Sequence, residues 1–86
     1  MEYKVLIKLF VPEIEEIYEA YIPINLTVGE VSRFLNQLVN NASGVYPIKD
    51  NISIYNRRSG VLYIKDSLVR NTDIRNGTEL VMISGD

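Results

Sequence analysis

The sequence predicts an α+β fold, a mixed sheet with one helix packed across one of its faces. Three observations carry that prediction. The chain opens on two runs in which apolar residues alternate with polar ones. It continues into a single amphipathic helix with clear start and stop signals, and it closes on another alternating run, TELVMI. Alternation at a period of two marks a half-buried strand, and a period near 3.6 marks a helix with one buried side.

The first run spans Tyr3 to Val11, where Val5, Ile7 and Leu9 alternate with Lys4, Leu6 and Lys8. Pro12 ends it, because proline has no N–H to give to a ladder. PEIEE is a polar turn, and a second strand runs from about Ile17 to Ile24 with Tyr18, Ala20 and Ile22 on one face. The two strands form a hairpin.

The helix starts at LTVGEV. Thr27 is a suitable N-cap and Glu30 follows three residues later, the spacing of a capping box. Leu26 and Val31 are placed to form the hydrophobic staple. Val28, Val31, Leu35, Leu38, Val39 and Ala42 make one apolar stripe over a helix from Val28 to Ala42, and Gly44 is positioned to stop it in a left-handed conformation. One stripe means burial on one side only, against a sheet.

Beyond the helix, Ile52 to Asn56 reads as a strand with Ile52 and Ile54 inward. RRSG is a turn, and Val61 to Ile64 reads as a short strand. KDSLVRNTDIRNG is polar loop anchored by Leu68, Val69 and Ile74. TELVMI is the final strand, with Leu80 and Met82 inward. This order of elements is the β-grasp arrangement, in which the first and last strands lie side by side and parallel at the sheet centre. Those two runs are the most apolar in the chain, as central placement requires.

Composition narrows the function. Eighty-six residues make one domain, and 47% hydrophobic content suffices for its core. Nine basic residues are scattered among eleven acidic ones, for a net charge of −2. That argues against nucleic acid, whose binding needs several Lys or Arg on one face. The chain has no Cys and no His, which excludes a disulfide framework, a thiolate zinc site and the commonest general base. No apolar run approaches the ~18–20 residues needed to cross a bilayer, so direct membrane insertion is not expected. The opening MEYKVLIKLFVPE carries Lys4 and Lys8 and reads as a strand, not a signal peptide. The expected location is cytoplasmic. Asn-x-Ser/Thr triplets at Asn25, Asn41, Asn51 and Asn76 are then read as chance.

The helix start LTVGEV and the approach TDIRNGTELVMI resemble those of ubiquitin-like proteins. More closely, the strand ending YIP, the LTVGEV helix start and IRNGTEL resemble the YukD/EsaB family of ubiquitin-like proteins associated with type VII (WXG-type) secretion systems. The resemblance covers nearly the whole chain, through structural motifs: a cap, a turn and core positions. It implies a ubiquitin-like β-grasp domain that is cytosolic and non-enzymatic, and that serves as an accessory or regulatory component of the secretion machinery. Ubiquitin and the sulfur carriers act through a Gly-Gly carboxylate. This chain closes Ser84-Gly85-Asp86, which disfavours the alternative of a C-terminally activated sulfur carrier or protein modifier. A third reading is a building block of a larger complex.

Candidate chemistry is sparse. Glu13, Glu15, Glu16 and Glu19 crowd the first hairpin, but they lack the spacing around a Gly that a calcium loop needs and read as a solvated turn. Arg57 and Arg58 could clamp a phosphate or carboxylate; in a hairpin turn they read as solvated. Gly29, Gly44, Gly60 and Gly77 form no phosphate-binding fingerprint, and no Ser lies in a nucleophile-like turn. No catalytic residue, metal or cofactor is expected.

What remains is apolar residues on the other side of the strands. With Val5, Ile7 and Leu9 inward, Leu6 and Phe10 point outward. Val81 and Ile83 do so on the last strand, and Tyr55 on the third. A contiguous apolar group on an open sheet face is a candidate contact surface, and ubiquitin's recognition patch lies on the corresponding face. The expected site is therefore Leu6, Tyr55, Val81 and Ile83, rimmed by Lys4, Lys8 and Arg58, and its expected partner is a protein, which the resemblance implies to be a secretion-machinery component. The competing readings are a face covered by a loop or a homodimer, or one shaped only by strand propensity.

Overall fold

The computed structural model describes residues 3–85. Four strands, β1 (Lys4–Val11), β2 (Glu16–Pro23), β3 (Ile52–Asn56) and β4 (Glu79–Ser84), form one sheet in the order β2-β1-β4-β3. β1 is antiparallel to β2 and parallel to β4, and β3 is antiparallel to β4. The helix α1 (Val28–Ser43) packs across one face, against β2 and β3. This is the expected β-grasp, with β1 and β4 parallel at its centre.

The core lies between the sheet and α1. Ile7, Leu9, Val11, Ala20, Ile22, Ile52, Ile54, Leu80 and Met82 are buried on the strand side, and Val28, Val31, Leu35 and Val39 on the helix side. The helix face is turned slightly from the expected stripe. Leu38 is half-buried and Ala42 exposed, while Ser32 and Asn36 take buried positions. Their polar atoms are satisfied in place. Ser32 Oγ donates to the Gly29 carbonyl at 2.7 Å, and the Asn36 amide grips the following loop, donating to the Pro47 carbonyl and accepting from Lys49 N, both at 2.9 Å.

Both helix ends are as the sequence predicts. Thr27 Oγ1 accepts from Glu30 N at 3.1 Å, and Glu30 Oε1 accepts from Thr27 N at 2.9 Å. Gly44 adopts φ 74°, and its N–H returns to the Asn40 carbonyl. Two more of the unpaired N–H groups that open any helix are met from outside: Val28 N donates to the Ser67 carbonyl and Gly29 N to that of Lys65. The polar loop after β3 is thus tied to the helix start, with Val69 and Ile74 buried as anchors and Leu68 half-buried.

The strand expected at Val61–Ile64 does not form. Only a bridge between Tyr55 and Leu62 exists there. Asn56 N donates to the Val61 carbonyl and Tyr63 N to that of Ile54. Two bonds with no partner on the far side hold Tyr63 inward but leave Val61, Leu62 and Ile64 exposed. The parallel pairing of β1 and β4 is started by the turn before β4. Gly77, at φ 89°, donates to the Leu6 carbonyl, and Asn76 Oδ1 accepts from Leu6 N at 2.8 Å.

Candidate protein-interaction surface

Strand alternation sends every second residue to the sheet face that α1 does not cover. The registers Phe10↔Ile17, Phe10↔Val81 and Tyr55↔Val81 place Ile17, Phe10, Val81 and Tyr55 in one apolar row across all four strands. Direct cross-strand neighbours stand about 5 Å apart at Cβ, so the row is continuous. Ile17 is 55% exposed, and the other three are half-buried.

A charged row runs beside it. Lys8 lies between Glu19 on β2 and Glu79 on β4. Arg57 closes the row, with its guanidinium 3.4 Å from Glu79 and 4.6 Å from the Phe10 ring centroid. A guanidinium over an aromatic face is held by the ring quadrupole. Arg57 thus joins the charged row to the apolar one.

The seven residues singled out from sequence are only partly brought together. Tyr55 and Val81 are direct cross-strand neighbours. Ile83 follows on the same strand and face, opposite Ser53. Leu6 shares the face, but the charged row separates it from the others, and its neighbours are Tyr21 and Asn76. Lys8 sits within the face instead of at its rim, and Lys4 lies at the far end opposite Pro23. Arg58 lines a polar groove with Asn56 and residues 76–79, so Arg57 is the basic residue at the apolar row. Phe10, Ile17 and Arg57 belong to the surface without having been singled out. Phe10 was legible from parity alone. Placing Ile17 opposite it needs the hairpin register, which no short turn motif announces.

Glu13 is exposed, as the polar turn suggests, but its carboxylate is also engaged. It accepts from Tyr46 Oη at 2.6 Å, from Ser84 Oγ at 2.7 Å and from Ser84 N at 3.2 Å. One carboxylate therefore ties the first hairpin, the loop after α1 and the end of β4. Burial pushes its pKa up, but the bonds from Ser84 and Tyr46 and the nearby Lys49 charge outweigh that and hold it below the ordinary value. Burial, with the bond to Glu13 adding to it, pushes the Tyr46 hydroxyl up to about 12. Tyr63 is likewise raised to about 12, by burial and then by its 2.6 Å bond to Asp73. Among the described residues no group of three or more His, Cys, Asp or Glu is placed to hold a metal, and no helix is long and apolar enough to cross a membrane.

The end of β4 is held rather than splayed. Gly85 N donates to the Asn51 carbonyl at 2.9 Å, extending the β3–β4 ladder. A Cβ added at Gly85 would stand 2.7 Å from Asn51 Nδ2, so a larger residue there would displace the Asn51 side chain. Asp86 lies outside the described residues.

No protein-family model matches the sequence, and no curated protein matches it either. Solved structures do. The ubiquitin-like domain of Arabidopsis thaliana protein At2g32350 matches with a TM-score of 0.70 at 19% identity, over 96% of this chain and 79% of that one. Caldiarchaeum subterraneum ubiquitin matches with a TM-score of 0.68 at 18% identity, over 96% and 95%. A chain of the MycP5-free ESX-5 inner membrane complex matches with a TM-score of 0.77 at 15% identity, over 99% of this chain but 22% of that one. At these identities the likeness is one of fold: the chain has the ubiquitin-like fold.

Proposed function

We propose that this protein is a non-enzymatic interaction module that binds a protein partner through the outer face of its sheet. In this reading it acts in the cytoplasm as an accessory or regulatory component of a type VII secretion system. The observation that carries the binding surface is the Ile17–Phe10–Val81–Tyr55 row, an apolar strip spanning the whole sheet on the side the helix leaves open. The secretion assignment rests on the resemblance of YIP, LTVGEV and IRNGTEL to the YukD/EsaB family. The match of fold to a chain of the ESX-5 inner membrane complex supports it. The alternative is activation through a C-terminal glycine. Adenylation needs a slim, free tail, whereas Ser84 is clasped by Glu13 and Gly85 is bonded to Asn51.

A double substitution, Tyr55→Asp with Val81→Asp, places charge in the row without entering the core. It should abolish capture of the partner from host lysate while leaving the thermal transition nearly unchanged. Incubation with ATP and the same lysate should yield no ladder of heavier conjugates. Capture that survives the double substitution, or a conjugate that depends on Gly85, would sink the reading.

A further inference from the structure

The outer face of the sheet carries a pattern that is complementary to itself. Its charged row alternates in sign across the strands: Glu19 on β2, Lys8 on β1, Glu79 on β4 and Arg57 just past β3. Beside it runs the apolar row of Ile17, Phe10, Val81 and Tyr55. The Tyr55↔Leu62 bridge lengthens that row by Leu62, because residues paired across a bridge point to the same side of the sheet. The end members of the row, Ile17 and Leu62, are 55% and 50% exposed. Between the two rows lies a shallow depression lined by Lys8, Phe10, Ile17, Glu19, Arg57 and Glu79.

We infer that a second copy of this chain covers this face in a weak two-fold dimer, which hides the apolar row until a partner displaces it. A two-fold interface uses the same patch on both copies, so the patch must match its own rotated image. An axis running along the strands, between β1 and β4, lays β1 on β4 of the second copy and β2 on its β3. Glu19 then faces Arg57 of the second copy and Lys8 faces its Glu79, so every charge in the row meets its opposite. Phe10 falls on Val81, and exposed Ile17 falls beside Tyr55 and Leu62. An axis across the strands fails, because it lays the charged row on that of Ile83 and Ser53. Twisted sheets packed face to face cross at about −30°, which offsets the outer pairs by about 4 Å and leaves the pairs beside the axis in register. Two rows across four strands span only about 300 Å², against ~800 Å² per partner in a standard interface. The dimer therefore forms at high protein concentration and yields to a tighter partner. Its regulatory consequence rests on the outer face being the contact surface proposed above; the self-association does not.

The test uses the purified whole chain with no partner present, so its failure is distinct from a failure of partner capture. In sedimentation equilibrium the chain should pass from monomer to dimer with a Kd of about 0.1–1 mM, weakened several-fold by added salt. Signals of Phe10, Val81 and Arg57 should shift with concentration in magnetic resonance spectra, while those of Gln37 on the helix side stay in place. Glu19→Lys, Lys8→Glu, Glu79→Lys and Arg57→Glu made together invert every sign in the row and keep each in-chain neighbour opposite in charge. That variant should dimerise with itself as the unaltered chain does. When one of the two is isotope-labelled and titrated with the other, they should associate at least tenfold more weakly, because every charge then meets its like. Val81→Asp, a single change outside the core, should abolish the dimer, with the thermal transition reporting that the variant is folded. A monomer at every concentration, a dimer that survives Val81→Asp, free mixing of the inverted and unaltered chains, or shifts on the helix side instead of Phe10 and Val81 would each overturn the assignment.

Discussion

At the scale of single residues, two polar side chains do work that hydrophobic burial cannot. Asn36 is 1% exposed and satisfies two backbone groups of the loop at once. Asn36→Ala would leave the Pro47 carbonyl and the Lys49 N–H without that partner. The expected loss is about 1–3 kcal/mol in urea unfolding, with faster exchange at the Lys49 amide. Glu13 acts over a longer reach, and it makes stability depend on pH. Its folded pKa is lowered, so its contribution is present above the unfolded value, ordinarily about 4.3, and is lost as pH falls through the folded one. Acid unfolding of Glu13→Gln should therefore show a shallower loss of stability below about pH 4. Tyr46 and Tyr63 have the opposite sign. Both are raised to about 12, so their contribution is intact below about pH 10 and disappears as pH rises toward 12. Tyr46→Phe with Tyr63→Phe should remove that alkaline loss, and an unchanged alkaline limb would count against both bonds.

At the scale of elements, the helix is the part most legible in the sequence. The capping box, Gly44 and the positions of Val31 and Leu35 follow from local signals that a single turn can satisfy. Thr27→Ala should cost about 1 kcal/mol through the lost N-cap bond. Leu35→Ala should cost about 2–5 kcal/mol, because Leu35 is fully buried and its loss leaves a cavity. A loss below 1 kcal/mol at Leu35, read from chemical denaturation, would contradict its place in the core. Leu38 and Ala42 were harder to place, because a stripe read by apolarity alone passes over Asn36, whose burial depends on a loop it meets 11 residues later. Val61–Ile64 failed for a related reason. Its alternation is strand-like, but only one neighbour is available to pair with it, and sequence does not count neighbours. Tyr46, 1% exposed in an otherwise exposed loop, gave no periodic signal at all.

At the scale of the whole molecule, sheet order and register turn scattered outward residues into surfaces. Parity assigned Phe10, Tyr55 and Val81 to the open side from sequence alone. The pairing of β4 with both β1 and β3 aligns them into one row, and the β1–β4 pairing inserts Lys8 and Glu79 between that row and Leu6. The row occupies the face opposite α1, so the molecule can present it to a partner while its core stays closed.

The most direct test of the outer-face claim is site-specific photocrosslinking in the host. A photoreactive phenylalanine analogue replaces Tyr55 in one variant and exposed Gln37, on the helix side, in another. The account predicts a discrete, light-dependent and ATP-independent adduct from position 55 to a secretion-machinery protein, absent from position 37 and lost when Val81→Asp is added. No adduct at position 55, or one that persists with Val81→Asp, would contradict it.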